Sequence, residues 1–104
     1  MKIRFLDAGS ISESHGLKDS LAALMSKELC RMKFQLVRLE VYLNHEHDNN
    51  GGMKKKFCIL EAHLVGCEPI TVMSEASCYT QAVNAAINKL KTSYITGFGR
   101  MWNN

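Results

Sequence analysis

The sequence predicts an α+β fold, a two-layer sandwich in which a four-stranded mixed sheet carries two helices on one face. Apolar residues recur at every second position in four short stretches, as they do in half-buried strands. They recur every three or four positions in two longer stretches, as they do in amphipathic helices. The order of the stretches is β-α-β-β-β-α. Because each helix has a single apolar stripe, both helices should cover the same face of the sheet.

The first β-α-β unit occupies the N-terminal part of the chain. Ile3 and Phe5 alternate with charged residues over positions 1–6, which predicts a short strand. Ser10 and Glu13 fit a capping box for the first helix, and Ser12 is an alternative N-cap. The helix then places its apolar residues on one stripe: Leu17, Leu21, Leu24, Met25, Leu29 and Met32. If the strands on either side of this helix are neighbours, they must run parallel.

Three further strands and a helix follow. The second strand alternates, with a predicted core face of Val37, Leu39, Val41 and Leu43. After a polar loop at 44–52, the third strand spans 57–65, with a predicted core face of Cys58, Leu60, Ala62 and Leu64. A turn at 66–69 leads to the fourth strand at 70–74.

The last helix has its own start and stop signals. Ser74 or Ser77 is the predicted N-cap, and Gly97 with Gly99 is predicted to end the helix. Its apolar stripe comprises Tyr79, Val83, Ala86, Ile87, Leu90 and Tyr94. The tail at 97–104, with Trp102, receives no predicted position.

Composition predicts one packed domain over residues 1–104. The hydrophobic fraction is 46%, which supplies a core. There is no apolar run of ~20 residues that would span a membrane, and Lys2, Arg4 and Asp7 interrupt any signal peptide. Four cysteines without a C-x-x-C pair are then expected to be reduced thiols of a cytoplasmic protein. The net charge of +3 and pI of about 8.7 permit nucleic-acid binding without specifying it.

The candidate catalytic and ligand-binding residues of the sequence favour neither an enzyme nor a cofactor-binding protein. Cys58 and His63 have opposite strand parity, so a nucleophile and a base would not meet there. No phosphate-binding glycine loop and no pair of carboxylates on one helix face is present. His45 and His47 are candidate metal ligands, with Cys58 or His63 as a third. The favoured interpretation of that segment is a polar loop without metal.

The uncovered face of the sheet suggests a second function class. Tyr42, Phe57, Ile59 and His63 are predicted to line it. An exposed patch of this kind is typical of a protein interface. A homodimer joined through this face, or another protein-interaction module, is therefore the alternative to nucleic-acid binding.

An ordered set of short motifs resembles a known family. The motifs begin with Arg38-x-Glu-Val-x-Leu43, Cys58-x-x-Glu-Ala-x-Leu64 and Gly66-x-x-Pro-Ile-x-Val72. Gln81-Ala-Val-x-x-Ala86, Lys89-Leu90 and Gly99-Arg100 follow. Together they resemble the HPF/RaiA family of ribosome hibernation and ribosomal subunit interface factors, in its short form. The chain departs from the family at 78–80, where an acidic residue and a tyrosine are usual, and at 92–96, where a basic run is usual.

The resemblance implies a fold similar to a double-stranded-RNA-binding domain and a function without catalysis. It implies binding in the decoding region of the small ribosomal subunit and repression of translation under stress. Basic side chains would contact rRNA phosphates and release counterions. The candidates by position are Lys18, Lys27, Arg31, Lys54, Lys55, Lys56, Lys89, Lys91 and Arg100.

Overall fold

The computed structural model has the element order β-α-β-β-β-α that the sequence predicts. It describes residues 2–6, 15–32, 35–45 and 55–102, without the side chains of His15 and of residues 95–102. The strands are β1 (Lys2–Phe5), β2 (Leu36–His45), β3 (Lys56–Leu64) and β4 (Ile70–Ala76). The helices are α1 (His15–Glu28) and α2 (Tyr79–Trp102), and a 3-10 helix at Cys30–Met32 follows α1.

The four strands form one mixed sheet in the order β1-β2-β3-β4. β1 runs parallel to β2, as the β-α-β unit predicts, and places Ile3 opposite Leu39. β2, β3 and β4 are antiparallel, with Val41 opposite Leu60 and Leu60 opposite Val72. Apolar residues therefore lie in rows across the sheet, on the face that meets the helices.

The core lies between this face and both helices. The predicted core face of β3 is fully confirmed, since Cys58, Leu60, Ala62 and Leu64 are all buried. Leu21 and Met25 of α1, with Leu29 just after it, pack into the same cluster as residues of α2 such as Val83 and Leu90. The two helices thus cover one face and leave the other open, which confirms the two-layer arrangement.

One predicted core residue, Val37, is instead 55% exposed. A register irregularity lies between Leu36 and Arg38 where β2 pairs with β3. An extra residue in one strand shifts the side-chain alternation by one position. Leu36 therefore takes the buried place that the regular alternation assigned to Val37, and the prediction was wrong at this position.

The predicted ends of α2 also need correction. The first helical hydrogen bond runs from the Ala82 amide to the Cys78 carbonyl at 3.0 Å, so Cys78 occupies the N-cap position. β4 continues to Ala76, which leaves Ser74 buried inside the strand, where its hydroxyl donates to the Ala82 carbonyl. The Ser77 hydroxyl donates to Oε1 of Gln81 at 3.2 Å. The predicted cap of α1 lies outside the described residues.

α2 continues through Gly97 and Gly99 to Trp102, although both glycines were predicted to end it. Glycine permits the left-handed conformation that ends many helices but does not impose it. Within the described part of the chain, only Gly66 has a positive φ, 73°, in the turn between β3 and β4. No helix among the described residues is both long and apolar enough to cross a membrane.

The irregularity in β2 leads to a matched pair of stability predictions. Val41 is fully buried and Val37 is 55% exposed, although the regular alternation places both in the core. Val41→Ala should lower the free energy of unfolding by about 2–3 kcal/mol, because it removes two buried methyl groups and leaves a cavity. Val37→Ala should change it by less than about 0.5 kcal/mol. Urea unfolding followed by circular dichroism measures both, and equal losses would contradict the irregular register.

Candidate nucleic-acid interface

A cleft between the end of α1 and the middle of α2 brings together three of the predicted RNA-binding residues. α1 ends at Glu28, and the 3-10 helix that follows buries Met32 while leaving Arg31 exposed. The cleft has a volume of about 460 Å³ and is lined by Lys27, Glu28, Cys30, Arg31, Met32, Lys91 and Tyr94. We call it the α1–α2 cleft. Lys27, Arg31 and Lys91 are the predicted cations that meet there.

An ion pair crosses the α1–α2 cleft. Nζ of Lys91 lies 2.7 Å from Oε2 of Glu28, and both side chains are about one-third exposed. The hydrogen bond and positive charge of Lys91 hold the pKa of the Glu28 carboxyl below its usual value of 4.5, and Lys27 contributes to the same shift. Glu28 therefore stays ionised at neutral pH and leaves the cleft with three cations and one carboxylate. The sequence did not point to Glu28, because its partner is 63 positions away.

Tyr94 also lines the cleft. Its hydroxyl donates to Oε1 of Gln35, which connects α2 to the segment that leads into β2. The phenol is half-buried. It supplies an aromatic lining next to the three cations, in a position that sequence reasoning assigned only to the core stripe.

Two other predicted cations lie away from the cleft and contact the fold itself. Nζ of Lys18 is 6.0 Å from the centre of the Phe5 ring, near β1. Nζ of Lys89 donates to the Met73 carbonyl at 2.7 Å. Lys89 and Lys91 are two positions apart, which is about 200° around the helix axis, so their side chains leave α2 on opposite sides. β4 is an edge strand, and lysines beside an edge strand hinder its pairing with another chain.

A second basic group lies at the start of β3. Lys55 is exposed, and Nζ of Lys56 is 5.1 Å from the centre of the Tyr79 ring at the beginning of α2. The first turn of α2 has no acidic residue, so the partial positive charge of the helix N-terminus is not offset locally. Lys54 lies outside the described residues. Arg100 lies in the helical backbone of α2, and its side chain is not among those described.

The metal ligands considered from the sequence do not come together among the described residues. His45 pairs with Lys56 and His63 pairs with Arg38, seven positions apart along the strands, which is about 23 Å. Nδ1 of His45 is 3.4 Å from the Tyr79 hydroxyl, and Cys58 is buried in the core. His47 lies outside the described residues.

The open face of the sheet carries polar as well as apolar side chains. Tyr42, Phe57, Ile59 and His63 are all half-buried, while Met73, which was not predicted, is 58% exposed. His63 belongs to a polar group with Glu40 and Glu61 that sequence reasoning missed. The period-two pattern placed these three side chains on one face but gave no reason to join them. A homodimer through this face stays a prediction.

The cysteines differ in exposure, and this difference predicts their reactivity. Cys30 and Cys78 are exposed and Cys67 is half-buried, whereas burial raises the pKa of the Cys58 thiol to about 12. At pH 8, a thiol-specific chromogenic reagent should react with three thiols of the folded chain and with the fourth only in denaturant. A Cys58→Ala variant should lose the denaturant-dependent fraction. Rapid reaction of all four thiols in the folded chain would contradict the burial of Cys58.

Comparison with known proteins relates this fold to solved structures. No protein-family model matches the sequence, and no curated protein matches it. A ribosomal subunit interface protein from Coxiella burnetii is similar, with 21% identity, a TM-score of 0.69 and an alignment covering 95% of this chain and 99% of that one. The N-terminal domain of Protein Y from Thermus thermophilus has 17% identity and a TM-score of 0.69, with 89% and 94% covered. The chain therefore shares its fold, over nearly its whole length, with these two proteins.

Proposed function

We propose that this chain is a cytoplasmic translation repressor that binds rRNA of the small ribosomal subunit in stressed cells, using the α1–α2 cleft. The observation that carries the proposal is the meeting of Lys27, Arg31 and Lys91 in one cleft, although they come from separate parts of the chain. The fold shared with a ribosomal subunit interface protein supports it. So do the short motifs in β2, β3 and α2 that resemble the HPF/RaiA family.

The chemistry of the cleft suits a phosphate backbone. Lysine and arginine neutralise phosphates and release condensed counterions, which provides affinity that falls as salt rises. Structured RNA is recognised mainly by shape and backbone, so a cleft with cations on both sides is an appropriate binding element. Glu28 holds Lys91 in place through the 2.7 Å ion pair and repels phosphate at the same time. Its net effect is to limit the affinity of the cleft.

The second basic group extends the proposed contact along α2. Lys55 and Lys56 lie beside the N-terminus of α2, where free backbone amides and the helix dipole favour a phosphate. Tyr79 and Lys91 are twelve positions apart, which is about 18 Å along the helix axis. RNA contacts at both places would span half of α2. We assign Lys18 and Lys89 smaller roles, since both contact the fold, and Lys54 and Arg100 enter the proposal by their sequence positions alone.

Charge reversal in the cleft tests the proposal. The unmodified chain should co-sediment with small ribosomal subunits through a sucrose gradient at low salt and dissociate as salt rises. Arg31→Glu should weaken binding by roughly tenfold or more, because it removes one phosphate contact and adds a repulsive charge. Lys2→Glu is the matched control, since it changes the net charge equally at an exposed position of β1.

Two outcomes would contradict the proposal. Absence of co-sedimentation of the unmodified chain at low salt would count against ribosome binding as such. An equal loss of binding in Arg31→Glu and Lys2→Glu would show that net charge matters and that the cleft does not. Circular dichroism of both variants separates these outcomes from unfolding.

Removal of the carboxylate from the cleft should have the opposite effect. Glu28→Gln leaves Lys27, Arg31 and Lys91 without an anionic neighbour in the cleft. Binding to small subunits should tighten, and the slope of log affinity against log salt should steepen by up to about 1. Asp19→Asn, at an exposed position of α1 outside the cleft, is the control with the same change in net charge. Equal tightening by both variants would argue against a specific role for Glu28.

A further inference from the structure

We propose that Glu40, Glu61 and His63 form a site for a divalent transition-metal ion of the zinc type on the open face of the sheet. Each offers one ligand atom, and the three atoms lie within 4.8 Å of one another. Imidazole nitrogen and carboxylate oxygen are ligands that Zn²⁺ accepts in proteins. The site is separate from the α1–α2 cleft, which the helices form over the other face of the sheet.

The distances between the ligand atoms fit a common metal. Nε2 of His63 is 2.9 Å from Oε1 of Glu40 and 3.5 Å from Oε1 of Glu61. Ligands about 2.0–2.1 Å from a tetrahedral zinc ion are about 3.3–3.4 Å apart. These two distances lie on either side of this value, and the ligand oxygens of Glu40 and Glu61 lie within 4.8 Å of each other, so side-chain rotations would bring the three atoms to tetrahedral spacing. The fourth position would be left to water.

The backbone holds the three residues in this arrangement. Glu40 and Glu61 are directly opposite each other on β2 and β3, the two central strands, and His63 is two positions along β3 from Glu61. All three side chains are partly buried, and their neighbours Leu39, Val41, Leu60 and Ala62 are in the core. Like charges directly across a sheet destabilise it. A bound cation would relieve the repulsion between the two glutamates.

Arg38 competes with a metal for the same carboxylate. A terminal nitrogen of its guanidinium lies 3.4 Å from Oε1 of Glu40 and 3.4 Å from Nε2 of His63. Its side chain is 44% exposed, so it can move into water when a metal binds. His63 would coordinate through a deprotonated Nε2, and any proton there would pass to solvent. Arg38 therefore limits the affinity of the site and is not one of its ligands.

This competition makes the test specific. Isothermal titration of the tag-free chain with ZnCl₂ at pH 7.5 should show one ion per chain. His63→Gln should weaken binding by at least about tenfold, since it removes the only nitrogen ligand. Arg38→Gln should bind zinc as tightly as the parent chain or more tightly. His45→Gln, which changes a histidine on the same strand pair outside the cluster, should bind like the parent.

Cobalt provides a second readout that reports ligand geometry. Co²⁺ bound to the parent chain should give visible absorption typical of a low-coordinate site, and His63→Gln should abolish it. Circular dichroism shows that each variant is folded. The proposal is overturned if the parent chain shows no saturable zinc binding, if His63→Gln binds as well as the parent, or if Arg38→Gln binds more weakly.

Discussion

The structure depends on the burial of one face of β2 and β3 beneath both helices. Leu39 and Val41 of β2 and Leu60 and Ala62 of β3 are completely buried. Because side chains alternate along a strand, a shift by one residue would move all of them to the open face. The hydrophobic effect therefore fixes the register of the central strands. The irregularity after Leu36 is the one place in the β2–β3 pairing where the alternation changes, and it occurs at the start of β2.

The α1–α2 cleft is a consequence of this packing. The last turn of α1 packs against the core, and Met32 of the 3-10 helix that follows is buried in the same core. Lys27 and Arg31 then line the same cleft as Lys91, and Glu28 pairs with Lys91. An ion pair exposed to this extent adds little to stability. Its importance lies in the charge of the cleft, since it offsets one of the three cations that would meet RNA.

The two faces of the molecule have different chemistry. The helical face carries the cleft and the lysines near the N-terminus of α2, and its charge is suited to phosphates. The open face carries Glu40, Glu61 and His63, with Arg38 beside them. The sheet and the core separate the two groups, so the proposed metal binding on one face need not disturb the proposed RNA binding on the other.

The sequence by itself determined the element order, the core face of β3 and the shared face of the two helices, and it required β1 and β2 to be parallel once the structure made them neighbours. Those features follow from the periodicity of apolar residues, which is a local property of the chain. It could not determine where α2 begins and ends, because Ser74, Gly97 and Gly99 are compatible with more than one backbone conformation. Nor could it show that Lys89 and Lys91 make contacts on different sides of α2.

Only the tertiary structure decided which charged residues meet. Lys91 pairs with Glu28, which is 63 positions away in the sequence, and His63 contacts Glu40, which is 23 positions away. Such contacts depend on how helices and strands are packed, and polar side chains at the surface have no periodicity that records their partners. The sequence thus predicted which cations to consider. It could not predict which of them lie in the α1–α2 cleft, which lie beside the edge strand β4 and which lie near the N-terminus of α2.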